Sequence, residues 1–196
     1  MTAFVICRRA VGCLMLLGVV FGPLAAAPAA EIAFADKTVV GVDATTLDVR
    51  IGDPASRDYP NVGYRAPVPY DQAIRTWAAQ RFSLTGQSVN TLRITLREGT
   101  IVEKLLPVST GISGWFKKEQ SADYQGTLAI EVAIIDPNGK VLGSADAKSW
   151  STQSVGKDAT QSDRDAAWAY VVQSSFDNLD RELIPRVRQI LAAYVH

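Results

Sequence analysis

The chain reads as a two-layer α+β domain in which a mainly antiparallel β-sheet is covered on one face by helices, and three observations point there. Asp136-Pro137-Asn138-Gly139 lies between two extended stretches, and Asn-Gly supplies the residues that take positive φ at a tight reversal. Before that turn, Leu128, Ile130, Val132 and Ile134 alternate with Thr127, Ala129, Glu131 and Ala133, so one face is large and apolar and the other small or polar. After it, Trp168, Val172, Phe176, Leu179, Leu183, Val187, Ile190 and Tyr194 recur at steps of three or four. That is the stripe of a long amphipathic helix, a natural cover for a sheet with one apolar face.

The N-terminal part reads as a targeting segment. Arg8 and Arg9 precede the apolar runs Val11–Leu17 and Val19–Phe21, and Ala27-Pro28-Ala29 offers a small-residue cleavage site. Residues 1–30 are therefore predicted to be a signal peptide cut near Ala29 or Ala30, with residues 31–196 a single α+β domain in the periplasm. The apolar run is too short for a membrane span, and no transmembrane segment is expected in the mature chain. A lipoprotein signal places its apolar core before the modified cysteine; here the core follows Cys13, so no lipid anchor is predicted. Cys7 and Cys13 are the only cysteines and both fall in the leader, which leaves the mature chain without disulfide or thiol chemistry.

The elements follow in order. Thr38–Val42 and Leu47–Ile51 read as short strands, the second alternating Leu47, Val49 and Ile51 with Asp48 and Arg50. Pro54, Pro60, Pro67 and Pro69 with Gly63 then forbid helix and disfavour a central strand. This long loop carries Tyr59 and Tyr64, and is either a functional loop or a strap crossing the sheet edge. Asp71–Phe82 reads as a helix, with Ile74, Trp77, Ala78, Arg81 and Phe82 on one face. Leu92, Ile94 and Leu96 alternate with Arg93, Thr95 and Arg97 in a half-buried strand that continues through Ile101, with a bulge expected at Gly99. Pro107–Gly114 breaks the pattern, and the hairpin is expected from Tyr124 to Trp150. Ser151–Thr160 reads as loop, and Ser162 with Asp165 as the capping pair of the last helix. Pro185 falls inside that stripe; a break near Glu182, with the proline opening a second helix, is the preferred outcome over a kink.

Composition narrows the function. With Arg8 and Arg9 removed, 18 basic residues face 20 acidic ones, a balance that offers nucleic acid no basic face. The only histidine, His196, is the last residue, which argues against a Ser-His-Asp or Cys-His arrangement resting on a mobile terminus. Without His and Cys pairs, no metal site or cofactor is expected. Asp136-Pro137-Asn138-Gly139 lacks the further ligands of a calcium loop. Ser154-Val155-Gly156-Lys157 matches a bare Ser-x-x-Lys without companion elements. The carboxylate pairs Asp43 with Asp48 and Asp163 with Asp165 are neighbours in sequence, which does not place them across a cleft. A non-enzyme is the expectation, and a carboxylate-dependent hydrolase the remotest of the alternatives.

Gly114-Trp115-Phe116-Lys117-Lys118, the Asp136–Gly139 hairpin and the closing helix around Trp168–Leu191 resemble those of uncharacterised exported bacterial proteins. The order of elements is similar to that of the auxiliary components of ABC-type envelope transport systems. The resemblance implies a non-catalytic accessory that contacts transport machinery or lipid, and the missing anchor cysteine sets this chain apart from it. The expected function is that of a soluble periplasmic accessory or binding protein whose partner is an envelope protein or lipid. Candidate contact residues are Trp115, Phe116, Lys117 and Lys118, two aromatics beside two cations, with Tyr59 and Tyr64 from the proline-rich loop. The alternative is a carrier holding a lipid or other apolar ligand in room left by Ala129, Ala133, Gly143, Ala145 and Ala147.

Overall fold

The computed structural model describes residues 32–35, 37–106 and 120–196. Its elements are β1 (Val40–Val42), β2 (Thr46–Ile51), α1 (Tyr70–Arg81), β3 (Phe82–Leu84), β4 (Thr91–Leu105), β5 (Gln120–Ile135), β6 (Val141–Gly156) and α2 (Gln161–Ile190). The expected α+β architecture is present, and among the described residues both helices pack on one face of a four-stranded sheet ordered β2-β4-β5-β6. The predicted signal peptide lies outside the described residues.

The sheet is mixed. β4, β5 and β6 run antiparallel, whereas β2 pairs parallel with β4. A parallel pair needs a long crossover, and the proline-rich loop with α1 supplies it. The same crossover brings β3 alongside β1, also parallel. Leu84 is the partner of Val42 and Thr91 that of Thr46, so the second segment carries three extra residues between the two pairings. The C-terminus closes the other side of β1: Gly41 and His196 exchange backbone hydrogen bonds of 3.3 and 2.9 Å, and Val42 bridges Val195. His196, expected on a mobile terminus, is held there by backbone pairing and by a 3.0 Å contact between its Nε2 and Asp43.

The hairpin is longer than its alternation indicated, because β6 continues through the polar stretch Ser151–Gly156. Polar side chains extend a strand when backbone pairing continues, as it does to Gln120 with Gly156. At the turn, Gly139 has φ +86° and the Asp136 carboxylate accepts from the N–H groups of Asn138 and Lys140. The bulge in β4 falls between Leu96 and Glu98, not at Gly99. Gly99 has another role: a Cβ there would come within 2.8 Å of the Tyr70 Cβ, so its absence lets α1 start close to the sheet.

α2 is one helix through Pro185, against the expected break. The proline removes one backbone donor, while Leu183, Ile184 and Val187 on either side of it stay buried and hold the helix to the sheet. Its N-terminus is closed by a Thr160–Asp163 capping box, two residues before the expected pair. The stripe is buried from Trp168 to Val187, after which Ile190 is exposed and Leu191 takes the core position, with Tyr194 packed partly against it. Small residues mark the closest approaches. A Cβ on Gly126 would lie 2.6 Å from Tyr70 Oη and closer still to Val171 Cγ1, and one on Gly143 would lie 2.8 Å from Leu191. Ala145 and Ala147 are likewise buried against α2, whereas alternation along β5 turns Ala129 and Ala133 to the opposite face. These five small residues therefore do not line a common space beneath the helix.

Candidate functional site

The proline-rich segment is an ordered strap. Gly52 N–H closes β2 onto the Leu96 carbonyl at 2.8 Å. The chain then leaves the sheet and returns at Pro60–Val62, where Val62 N–H reaches Ile101 O and Glu103 N–H reaches Pro60 O. Strap residues thus take over the edge of β4 that β2 vacates at the bulge. Tyr59–Pro60 is cis. A short 3-10 turn, Gly63–Arg65, then leads to Pro69, the N-cap of α1.

Between the strap, the start of α1 and the bulge of β4 lies a cleft of about 180 Å³. Ile51, Pro54, Pro69, Tyr70 and Leu96 give it apolar walls, while Asp53, Ser56, Arg57 and Asp71 bring polar groups to it. Tyr64 stands at its edge, half in solvent, with the guanidinium carbons of Arg57 and Arg65 5.9 and 5.5 Å from its ring centroid. Arg65 Nε also donates to Tyr64 Oη at 3.1 Å, so the ring is oriented by two cations. The buried Tyr70 Oη lies 2.8 Å from Ser175 Oγ. Burial pushes its phenol well above the ordinary range, and the Ser175 hydrogen bond offsets only part of that. Tyr70 is accordingly a neutral wall at working pH. Drug-sized ligands occupy pockets of roughly 300–1,000 Å³; this cleft is smaller, with room for about one side chain.

Tyr59 and Tyr64 are both exposed, as expected, but only Tyr64 borders the cleft. Trp115, Phe116, Lys117 and Lys118 lie outside the described residues. The acidic candidates are each engaged elsewhere. Asp43 accepts from Thr85 and contacts His196, and these hydrogen bonds, that of Thr85 first, hold its carboxyl below the usual value. At Asp48 burial acts upward most strongly, yet Arg93 and Arg50 together keep the carboxyl below its ordinary value. Asp163 sits in the capping box, Asp165 accepts from Gln161, and the Ser154 hydroxyl donates to Asp123. Among the described residues no group of three or more His, Cys, Asp or Glu is placed to hold a metal ion, and no helix is long and apolar enough to cross a membrane.

One polar cluster escaped the sequence reading. The Asp180 carboxylate receives Trp77 Nε1 at 2.8 Å and Arg81 Nε and Nη2 at 2.8 and 2.6 Å, all of it buried between α1 and α2. The signal was an arginine at a core position of the α1 stripe, since a buried cation requires a buried anion.

No protein-family model matches the chain, and no curated protein does. Among solved structures, it is similar to a minor lipoprotein from Acinetobacter baumannii at 17% identity and TM-score 0.36, covering 82% of this chain and 95% of that one. It is also similar to a Caulobacter crescentus protein assigned as a lipoprotein, at 9% identity and TM-score 0.36 over 69% of this chain and 82% of that one. A third, the Xanthomonas campestris protein XCC0632 of the family DUF330, gives 13% identity and TM-score 0.28 over 73% and 87%. Function does not transfer across likenesses this distant.

Proposed function

We propose that this protein is a non-catalytic accessory or binding domain of the bacterial envelope, exported by its N-terminal leader and acting through contact with an envelope protein. The observation that carries the reading is the strap cleft, where an arginine-flanked Tyr64 borders a recess sized for one side chain. Aromatic and arginine side chains of this kind anchor protein contacts, and the strap that presents them is tied to β4 at both of its turns. A role linked to envelope transport or assembly is the finer form of the same proposal. The carrier alternative draws no support from the small residues assigned to it, which divide between the two faces of the sheet.

The test is site-specific photocrosslinking in a native envelope fraction, with the photoreactive residue placed at Tyr64, at Tyr59 or, as an exposed control on α2, at Tyr170. A discrete adduct at Tyr64 that Arg57→Ala weakens is the expected result. Equal labelling at Tyr64 and Tyr170 would show that the strap is ordinary surface.

A further inference from the structure

Among the described residues, the face of the sheet turned away from the helices carries one large exposed aromatic residue, Trp150 of β6, which is 62% exposed. Alternation along β6 sends Ala145, Ala147, Ser149 and Ser151 toward α2 and leaves Lys148, Trp150 and Thr152 on this open face. Trp150 is tied down through its backbone and faced by one cation. Its own backbone carbonyl accepts from Asn178 Nδ2 at 2.9 Å, and Lys148 Nζ lies 6.0 Å from the ring centroid while donating to Glu98 at 2.7 Å. In register beside it stand Thr127 of β5 and Thr100 of β4, and in the next row Thr152 and Gln125.

We propose that this row is a binding platform for a neutral polysaccharide chain. The chemistry rests on what surrounds the indole. Its nearest neighbours are hydroxyl and amide side chains, which suit a polyol, and Val102 at the far end of the next row is too little apolar surface to seat a lipid. Among the described residues the cations nearest the indole are matched, Lys148 by Glu98 and Arg97 by Glu131, and the unmatched Lys104 stands two rows away, opposite Asp123. A pyranose ring presents a C–H face to stack on an aromatic ring and hydroxyls around its rim, and strands spaced about 4.8 Å apart step across the row at about the scale of one sugar ring. Arg186 and Asn178 cap the β6 carbonyls of Asp146 and Trp150, so at these two positions the strand edge is already occupied and the face beside it is free. The site is separate from the strap cleft and does not depend on the function proposed for it.

Isothermal titration of the purified protein with cellohexaose, maltohexaose and chitohexaose tests the assignment, with melting temperatures measured for every variant. Saturable binding of at least one hexasaccharide is expected, weakened about tenfold by Trp150→Ala, the size of one aromatic stacking contact, and less by Trp150→Phe. Tyr64→Ala should bind as the wild type does. The assignment is overturned if none of the three sugars binds, if Trp150→Ala and Trp150→Phe both bind like the wild type, or if binding appears only with polygalacturonate or with phosphatidylglycerol vesicles.

Discussion

The two faces of the main sheet use the same chemical pairs in opposite ways. On the covered face, Arg81 and Asp180 meet with side chains only 1 and 2% exposed, within a core built from Leu92, Ile94, Leu128, Ile130 and Phe176. On the open face, Arg97 meets Glu131, Lys148 meets Glu98 and Arg93 meets Asp48, each pair wet on at least one side. A carboxylate buried with its cation has no water to fall back on, while an exposed one exchanges its partner for solvent at little cost. The first kind of pair fixes how α1 sits against α2. The second balances charge on the open face without adding much to stability.

The contrast is broken most directly at Asp180. Asp180→Ala leaves Arg81 charged in the core and should lower the unfolding free energy by about 3–5 kcal/mol; urea denaturation followed by circular dichroism reads it. The double variant Arg81→Met with Asp180→Leu should recover part of that loss, since replacing a buried pair with apolar groups of similar volume is often neutral, while Trp77 Nε1 is left without its acceptor at a cost of about 1–3 kcal/mol. Glu131→Gln on the open face, measured the same way, should change stability by less than about 1 kcal/mol. Equal losses at Asp180 and Glu131 would erase the distinction between the faces.

Gly126 sharpens the comparison from the packing side. Its covered surface is where β5, α1 and α2 converge, and Gly126→Ala should cost about 1–3 kcal/mol through overpacking against Val171 and Tyr70. Ala129→Ser, three residues on and turned to the open face, should be within about 0.5 kcal/mol of the wild type. A thermal-melt series over both positions checks the pair.

Periodicity carried most of the architecture. The apolar alternation of β4 and β5, the Asp136–Gly139 turn and the α2 stripe each have a local physical cause, and each stands close to where its pattern placed it. The errors came where tertiary contacts decide. Nothing in the spacing of Leu47, Val49 and Ile51 distinguishes a parallel from an antiparallel neighbour, so the mixed sheet was not legible. Pro185 is tolerated in α2 because the residues around it are buried, a fact set by the sheet beneath. Ser151–Gly156 extends β6 through backbone pairing, to which side-chain polarity gives no clue. Of the candidate site, the strap and its exposed Tyr64 were visible in the prolines and the tyrosines. The cleft was not, because Leu96, Tyr70 and Ile51 reach it from three separate elements. Trp150 carried no sequence signal of exposure beyond its alternation with Ser149 and Ser151.

The smallest effect separates the faces by pH. Asp48 lies on the open side, and its folded pKa is depressed by Arg93 and Arg50 against the upward pull of burial. Its contribution is therefore present above the unfolded carboxylate value of 3.8 and is lost as pH falls through the lower folded value. Tyr70 lies on the covered side with its phenol pushed up by burial. Below the unfolded value of 10 it is neutral in both states; as pH rises beyond that, only the unfolded chain ionises and stability declines. The acid limb of a urea-midpoint profile should thus flatten in Asp48→Asn and keep its shape in Tyr70→Phe. The alkaline limb should flatten in Tyr70→Phe, with the buried Tyr124, whose pKa burial also raises, carrying what remains. If either substitution moved the opposite limb, the division of charge between a wet face and a dry one would not describe how this sheet is stabilised.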